Sequence, residues 1–172
     1  RHIEEITNHN PRVRYLELSK NFGKEVATTA GIHSCRGDAA ICIDADLQHP
    51  PEVIPEFIRH WQAGAEVVVG VRTESKSDHA LKRLGAIWAY RLINSISETK
   101  VIPQSTDFRL LDRRVINEFN RLTERNRMTR GLIDWLGFQR RYVHFQVADR
   151  AAGQASYSIP MLIRLLVNSL VS

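Results

Sequence analysis

Apolar and polar positions change period several times along the chain, and each change marks an element. Residues 1–9 read as the end of a helix, stopped by Asn10-Pro11. Val13 to Leu18 alternates apolar and polar, the period of a half-buried strand. Asn21-Phe22-Gly23 makes a turn, and a helical stretch is expected from there to about Cys35, closed by Gly37-Asp38. Ala39-Ala40-Ile41-Cys42-Ile43 is continuously apolar, as suits a strand covered on both faces. Pro50-Pro51-Glu52 opens a helix, proline being suited to a first turn. Val53, Ile54, Phe57, Ile58 and Trp61 then recur at helical spacing up to Gly64. Glu66 to Val71 is another apolar strand.

Strand and helix therefore alternate at least twice within the first half of the chain. That alternation predicts an α/β fold with βαβ units, right-handed crossovers and a mainly parallel sheet flanked by helices. Further on, residues 73–79 form a polar loop, and residues 80–97 an amphipathic helix carrying Leu81, Leu84, Trp88 and Leu92. A loop at 99–107 leads to a strand at Phe108-Arg109-Leu110-Leu111, followed by helices near 112–122 and 127–136 and a strand at 139–147. Ile159 to Val171 is apolar nearly all round and shorter than the roughly 20 residues a membrane-spanning helix needs. Three roles fit it: lying in the membrane interface with Arg164 at the headgroups, leading into a membrane span, or packing on the domain itself.

Composition narrows the class. The 172 residues suffice for one domain with a core, and 43% hydrophobic with 25% charged residues exclude a disordered chain. The net charge of +5 comes mostly from arginine, with nineteen Arg against five Lys. Arginine's planar fork suits phosphate, so the bias fits a phosphate-rich ligand or an anionic membrane as well as a generic basic surface. No basic-aromatic stripe or finger motif points to nucleic acid. Cys35 and Cys42 match no zinc or redox spacing and read as reduced, packed residues of a cytosolic compartment.

The chemistry concentrates at Asp44-Ala45-Asp46. Two carboxylates at i and i+2, leaving the end of a buried strand, point the same way. The carboxyl ends of strands are where open α/β sheets bind ligands. Two acids there repel unless a cation joins them, and Mg²⁺ or Mn²⁺, which shares its shell with substrate phosphates, suits their hard oxygens. Alone such a pair is weak; here Leu47-Gln48-His49-Pro50-Pro51-Glu52 follows it.

Four segments in order carry a resemblance: Asn21-Phe22-Gly23-Lys24-Glu25; Asp44-Ala45-Asp46-Leu47-Gln48 with Pro50-Pro51-Glu52; Gly70-Val71-Arg72; and Asp107-Phe108-Arg109-Leu110-Leu111. Together they resemble the polyprenyl-phosphate glycosyltransferases of glycosyltransferase family 2, the bactoprenol and dolichol-phosphate types, over roughly residues 1–158. The resemblance implies a Rossmann-like GT-A fold and an inverting, metal-dependent transfer of a sugar from a nucleotide-sugar to polyprenyl phosphate. Glucose is the expected sugar, and a UDP-sugar is expected in preference to a GDP-sugar. Residues 1–158 then form the catalytic domain and 159–172 an apolar or juxtamembrane helix, at the cytoplasmic face of the membrane, with self-association left open.

Carried over by residue, the resemblance makes Asp44 and Asp46 the metal and diphosphate acids, with Asp46 also a catalytic residue, and Gln48 a polar contact beside them. Asp107 becomes the base or acceptor-orienting acid, against the alternative of a helix or turn cap. Two anionic phosphates must also be held close together, and Arg72, Lys82, Arg83, Arg127, Arg130 and Arg150 are the candidate cations. The backbone amides of Asn21 to Glu25, where a turn enters a helix, could face an anion or simply start the helix.

Three departures qualify the resemblance. The family's Arg-x-x-Gly-Glu-Ser-Lys-Tyr pattern appears here as Arg150-Ala151-Ala152-Gly153-Gln154-Ala155-Ser156-Tyr157, with serine for lysine. Thr106 stands where glycine is frequent. The family's first strand and acidic motif would precede Arg1, so the chain is expected to be an N-terminally truncated domain lacking that strand. A catalytically impaired, membrane-associated module that binds nucleotide-sugar and a nucleotidyltransferase of similar fold are the competing readings. A phosphatase would carry Thr or Val two residues after the second acid, where Gln48 stands.

Overall fold

A computed structural model describes residues 2–73, 104–124 and 128–146. In chain order the elements are α1 (His2–His9), α2 (Lys24–Ser34), β1 (Ala39–Cys42), a 3₁₀ turn (Pro51–Val53), α3 (Ile54–Gln62) and β2 (Val67–Arg72). They continue with β3 (Ser105–Asp112), α4 (Arg113–Arg121), α5 (Thr129–Trp135) and β4 (Arg140–Phe145). The expected helix at 80–97, the polar loop before it and the apolar stretch at 159–171 lie outside the described residues, as does the altered 150–157 motif.

The α/β class expected from the alternating pattern is present, as a partial GT-A-like arrangement of sheet and flanking helices. The sheet itself is mixed, in the order β1-β3-β2-β4. β2 pairs with β4 in parallel, whereas β3 runs antiparallel to both β1 and β2. β1 and β2 do point the same way, joined by α3, but β3 is inserted between them. Hydrophobic periodicity fixes which segments are strands, not which strand enters between two others. That is why the mainly parallel expectation becomes a mixed sheet.

Both faces of the sheet are covered, which explains the unbroken apolar run of β2. Val67 and Val69 face a core with Ile32, Leu111, Val115, Ile116, Phe119 and Ile133. Val68 faces the opposite core with Phe57, Ala65, Phe108, Leu110, Val143 and Phe145. The pairing of β2 with β3 shifts register between Val69 and Val71. Gly70 sits at this shift, and a Cβ there would stand 2.8 Å from Phe145 Cε1 and 3.1 Å from the Phe108 carbonyl. Glycine is needed for that close approach. Thr106, the departure from a frequent glycine, is buried and donates its hydroxyl to the Gly70 carbonyl at 2.8 Å. It thereby ties β3 to β2 at the irregularity.

Asp112 closes β3 at the other end. Its Oδ1 accepts the Arg114 N–H at 2.8 Å, capping α4, and its Oδ2 accepts Trp61 Nε1–H at 2.7 Å from α3. Two expectations are corrected. Val13 to Leu18 forms no strand; it is irregular and mostly exposed, with Tyr15 and Leu16 open to solvent, so its alternation has no sheet neighbour among the described residues. The strand expected from Phe108 begins at Ser105, so Asp107 belongs to β3 and not to the loop before it, and it caps neither helix nor turn.

Candidate active site

The site forms where β1 ends and β3 begins. In their antiparallel ladder Ala39 faces Asp112 and Cys42 faces Arg109, one residue stepping against the other. Continued two steps past Cys42, the same register brings Asp44 opposite Asp107. Like charges opposite each other across a strand pair are destabilising unless compensated.

The compensation comes from two cations. Lys24, the first residue of α2, places Nζ 3.0 Å from Asp44 Oδ2 and 2.7 Å from Asp107 Oδ2. Arg130 in α5 grips the other oxygen of Asp107 from Nε at 3.1 Å and Nη2 at 2.7 Å, and donates from Nη1 to the Ser105 carbonyl at 3.1 Å. Burial pushes the Asp107 carboxyl up, but the Lys24 hydrogen bond and the Arg130 charge outweigh it and hold its pKa near 2, well below the usual carboxylate range. Burial pulls the Lys24 ammonium down, and the hydrogen bonds to Asp107 and Asp44 more than offset it, so its pKa lies above the usual lysine value. Both groups are therefore charged at neutral pH.

The turn after β1 is held from beneath by His49. This residue is 2% exposed and stacks on Phe108, with ring centroids 5.1 Å apart. Its Nδ1 accepts the Asp44 backbone N–H at 3.2 Å. Burial lowers its pKa, an effect only partly opposed by Asp44, so the ring is neutral and can keep that acceptor. Asp46 Oδ1 accepts the Gln48 backbone N–H at 3.1 Å, and Leu47 between them adopts φ +60°. For a leucine this left-handed conformation is uncommon and is maintained by the surrounding turn.

Of the residues singled out in the sequence, Asp44, Asp46, Gln48, Asp107 and Arg130 lie at this end of the sheet. Arg72 ends β2 near His49, whose pKa its charge helps lower. Its buried Nε meets no partner among the described residues. Gln48 contributes its backbone N–H; no side-chain role for it emerges. Lys82, Arg83, Arg127 and Arg150 lie outside the described residues. Burial pushes the Cys42 thiol up to about 11, so it stays protonated, and Cys35 and Cys42 form no disulfide.

Three contributors were not singled out for the site, although each lies inside a segment that carries the resemblance. Lys24 is remote in the chain from both its acids. Glu25 accepts the Thr129 N–H at 2.8 Å, fixing the start of α5 and hence Arg130 beside it. Buried Arg109 holds Asp134 on the same helix. His49, an isolated histidine just after the acid pair, could likewise have been suspected from its place.

No three of His, Cys, Asp and Glu gather as a metal centre among the described residues. Asp44 and Asp46 are thus at most two ligands of a cation. That fits Mg²⁺ or Mn²⁺, which typically take one or two carboxylates and complete their shell with water and substrate phosphate oxygens.

Among the described residues no helix is long and apolar enough to cross a membrane. The family model described as "Glycosyl transferase family 2" matches residues 1–119. The chain is 38% identical over 175 residues to the "Uncharacterized glycosyltransferase YkcC" of Bacillus subtilis (strain 168), covering 100% of this chain and 54% of that protein. It is 40% identical over 170 residues to the "Bactoprenol glucosyl transferase" of Shigella phage SfV, covering 99% of this chain and 55% of that protein. A "Prophage bactoprenol glucosyl transferase homolog" of Escherichia coli (strain K12) is 39% identical over 170 residues, covering 99% of this chain and 56% of that protein. The chain spans about half the length of the curated relatives it matches.

Proposed function

The chain belongs to glycosyl transferase family 2, and from that premise we propose that the protein transfers a sugar from a nucleotide-sugar to a polyprenyl phosphate at the cytoplasmic face of a membrane. The observation that carries the reading is that Lys24 bridges Asp44 and Asp107 at the β1–β3 end, with Arg130 on the other oxygen of Asp107. Relatives named for bactoprenol support the acceptor class and suggest glucose as the sugar. A UDP-sugar is the preferred donor.

The residues divide the work as follows. Asp44 and Asp46 would hold the cation on the donor side, with His49 and the Leu47 turn fixing their backbone. When bound there, Mg²⁺ or Mn²⁺ supplies Lewis-acid neutralisation of the diphosphate that leaves. Arg72, at the end of β2, would offer its guanidinium to a phosphate oxygen. On the acceptor side a phosphate monoester is already largely dianionic at neutral pH, its second pKa being about 6. Its oxygen attacks the anomeric carbon from the face opposite the leaving group. The bond to the diphosphate breaks, and the anomeric configuration inverts. No base is required, and Asp107, with a pKa near 2, is a poor one. Its role is to orient Arg130 and Lys24, whose charges offset the approach of one anionic phosphate to another.

The test is transfer of labelled glucose from UDP-glucose to polyprenyl phosphate by the complete protein in membranes, with and without Mg²⁺. Metal-dependent lipid-linked product is expected. Absence of product across UDP- and GDP-sugars would overturn the reading in favour of a binding module.

A further inference from the structure

Among the described residues, Lys24 is the one that bonds both acids. Asp44 and Asp107 come from strands that are neighbours in the sheet but far apart in the chain, and the Lys24 ammonium is the group that joins them. The two acids are not equally dependent on it. Asp107 keeps a second cation, Arg130, on its other oxygen. For Asp44 the remaining approach among the described residues is His49 Nδ1, 4.0 Å away. That nitrogen accepts the Asp44 backbone N–H and so carries no proton. The charge of Asp44 is therefore balanced by Lys24.

The backbone behind Lys24 is fixed while its side chain is not. Gly23 and Ala27 close the first turn of α2, and the neighbouring Glu25 is anchored to the start of α5. The Lys24 side chain is 41% exposed and is absent from both hydrophobic cores. A dication attracts a carboxylate about twice as strongly as an ammonium at equal distance.

We propose that Lys24 is a positioning residue that acts as an internal counter-ion, bridging the donor-side acid to the acceptor-side acid and surrendering Asp44 when the divalent cation arrives. Lys24 then remains on Asp107, beside the space where the acceptor phosphate must come. Cation loading and acceptor-side charge are in this way coupled through one side chain. The inference rests on the reading of Asp44 and Asp46 as cation ligands.

Its signature is a change of opposite sign to that of a lost ligand. Mn²⁺ alone, titrated into the complete protein and followed by electron paramagnetic resonance, reads it without turnover. Lys24→Gln removes the competing charge, and Mn²⁺ should bind about tenfold more tightly, an attraction of this size being expected for partly exposed charges at such distances. Lys24→Arg keeps the charge and should bind Mn²⁺ as wild type does. In both variants a wild-type melting curve checks the fold. Transfer by Lys24→Gln should nonetheless slow, because the acceptor side has lost a cation. Unchanged or weaker Mn²⁺ binding in Lys24→Gln, with binding abolished in Asp46→Asn, overturns the counter-ion role and leaves the cation site standing. Wild-type Mn²⁺ binding in Asp46→Asn, or none in the wild type, overturns the cation site and the counter-ion role together.

Discussion

Arg109 and Asp134 form an ion pair inside the protein, with Nη1 3.0 Å from Oδ1 and the arginine side chain 3% exposed. The arginine also donates from Nε to the Thr106 carbonyl at 3.1 Å. It thus links β3, which carries Asp107, to α5, which carries Arg130. The distance between the acid and its guanidinium partner is set two residues away on one element and four on the other.

Replacing Arg109 by leucine leaves Asp134, among the described residues, with the Arg140 contact at 3.3 Å. Removing one member of a buried pair strands the other, and the expected loss is about 2–4 kcal/mol of stability. Urea unfolding of the variant measures it; a loss under about 0.5 kcal/mol would show that the pair is not a structural tie.

Asp46→Asn should reduce transfer by roughly a hundredfold or more while the melting temperature is unchanged, because an amide removes charge from the cation site without removing the acceptor for the Gln48 N–H. Initial rates and thermal melts of the same preparation decide it. Transfer at the wild-type rate would sink the assignment.

Asp107→Asn should slow transfer more than it weakens donor binding, since the two cations it orients serve the acceptor side. Equal loss of both would move Asp107 into the donor site. The pH dependence follows from its depressed pKa. The carboxylate's contribution to stability is present above the unfolded value near 3.8 and is lost as pH falls towards 2. Wild-type transfer should therefore show no limb from Asp107 between about pH 5 and 8. A limb in that range that disappears in Asp107→Asn would restore it as a titrating base.

Gly70→Ala drives a methyl to 2.8 Å from the Phe145 ring and 3.1 Å from a backbone carbonyl. Overpacking of this kind typically costs about 1–3 kcal/mol. Thermal unfolding of the variant should show the loss, and an unaltered melting temperature would mean that the Phe145 ring and the β3 backbone can give way at this point.

Much of this was legible in advance, for a physical reason. The apolar runs of β1 and β2 and the stripe of α3 are local signals of burial, and each became the expected element. Asp44 and Asp46 could be singled out because charge at the end of a buried run has to be satisfied. The place of β3 in the sheet was not legible, because strand order depends on contacts between distant segments. Lys24 was hidden for the same reason: its two partners are 20 and 83 residues away. Val13 to Leu18 had the alternation of a strand, but alternation records only that one side is apolar, not that a neighbour is there to pair with.

Asp112 gives β3 a second role at its far end. There the strand is clamped to Trp61 in one helix and to the first turn of the next, while five residues earlier Asp107 carries the Lys24 and Arg130 contacts of the candidate site. A single antiparallel strand is thus fastened to the scaffold at one tip and carries the candidate site at the other. Substitutions at the site tip can then alter what the protein binds while the clamped tip keeps it folded, so that innovation and integrity are drawn from separate ends of one short segment.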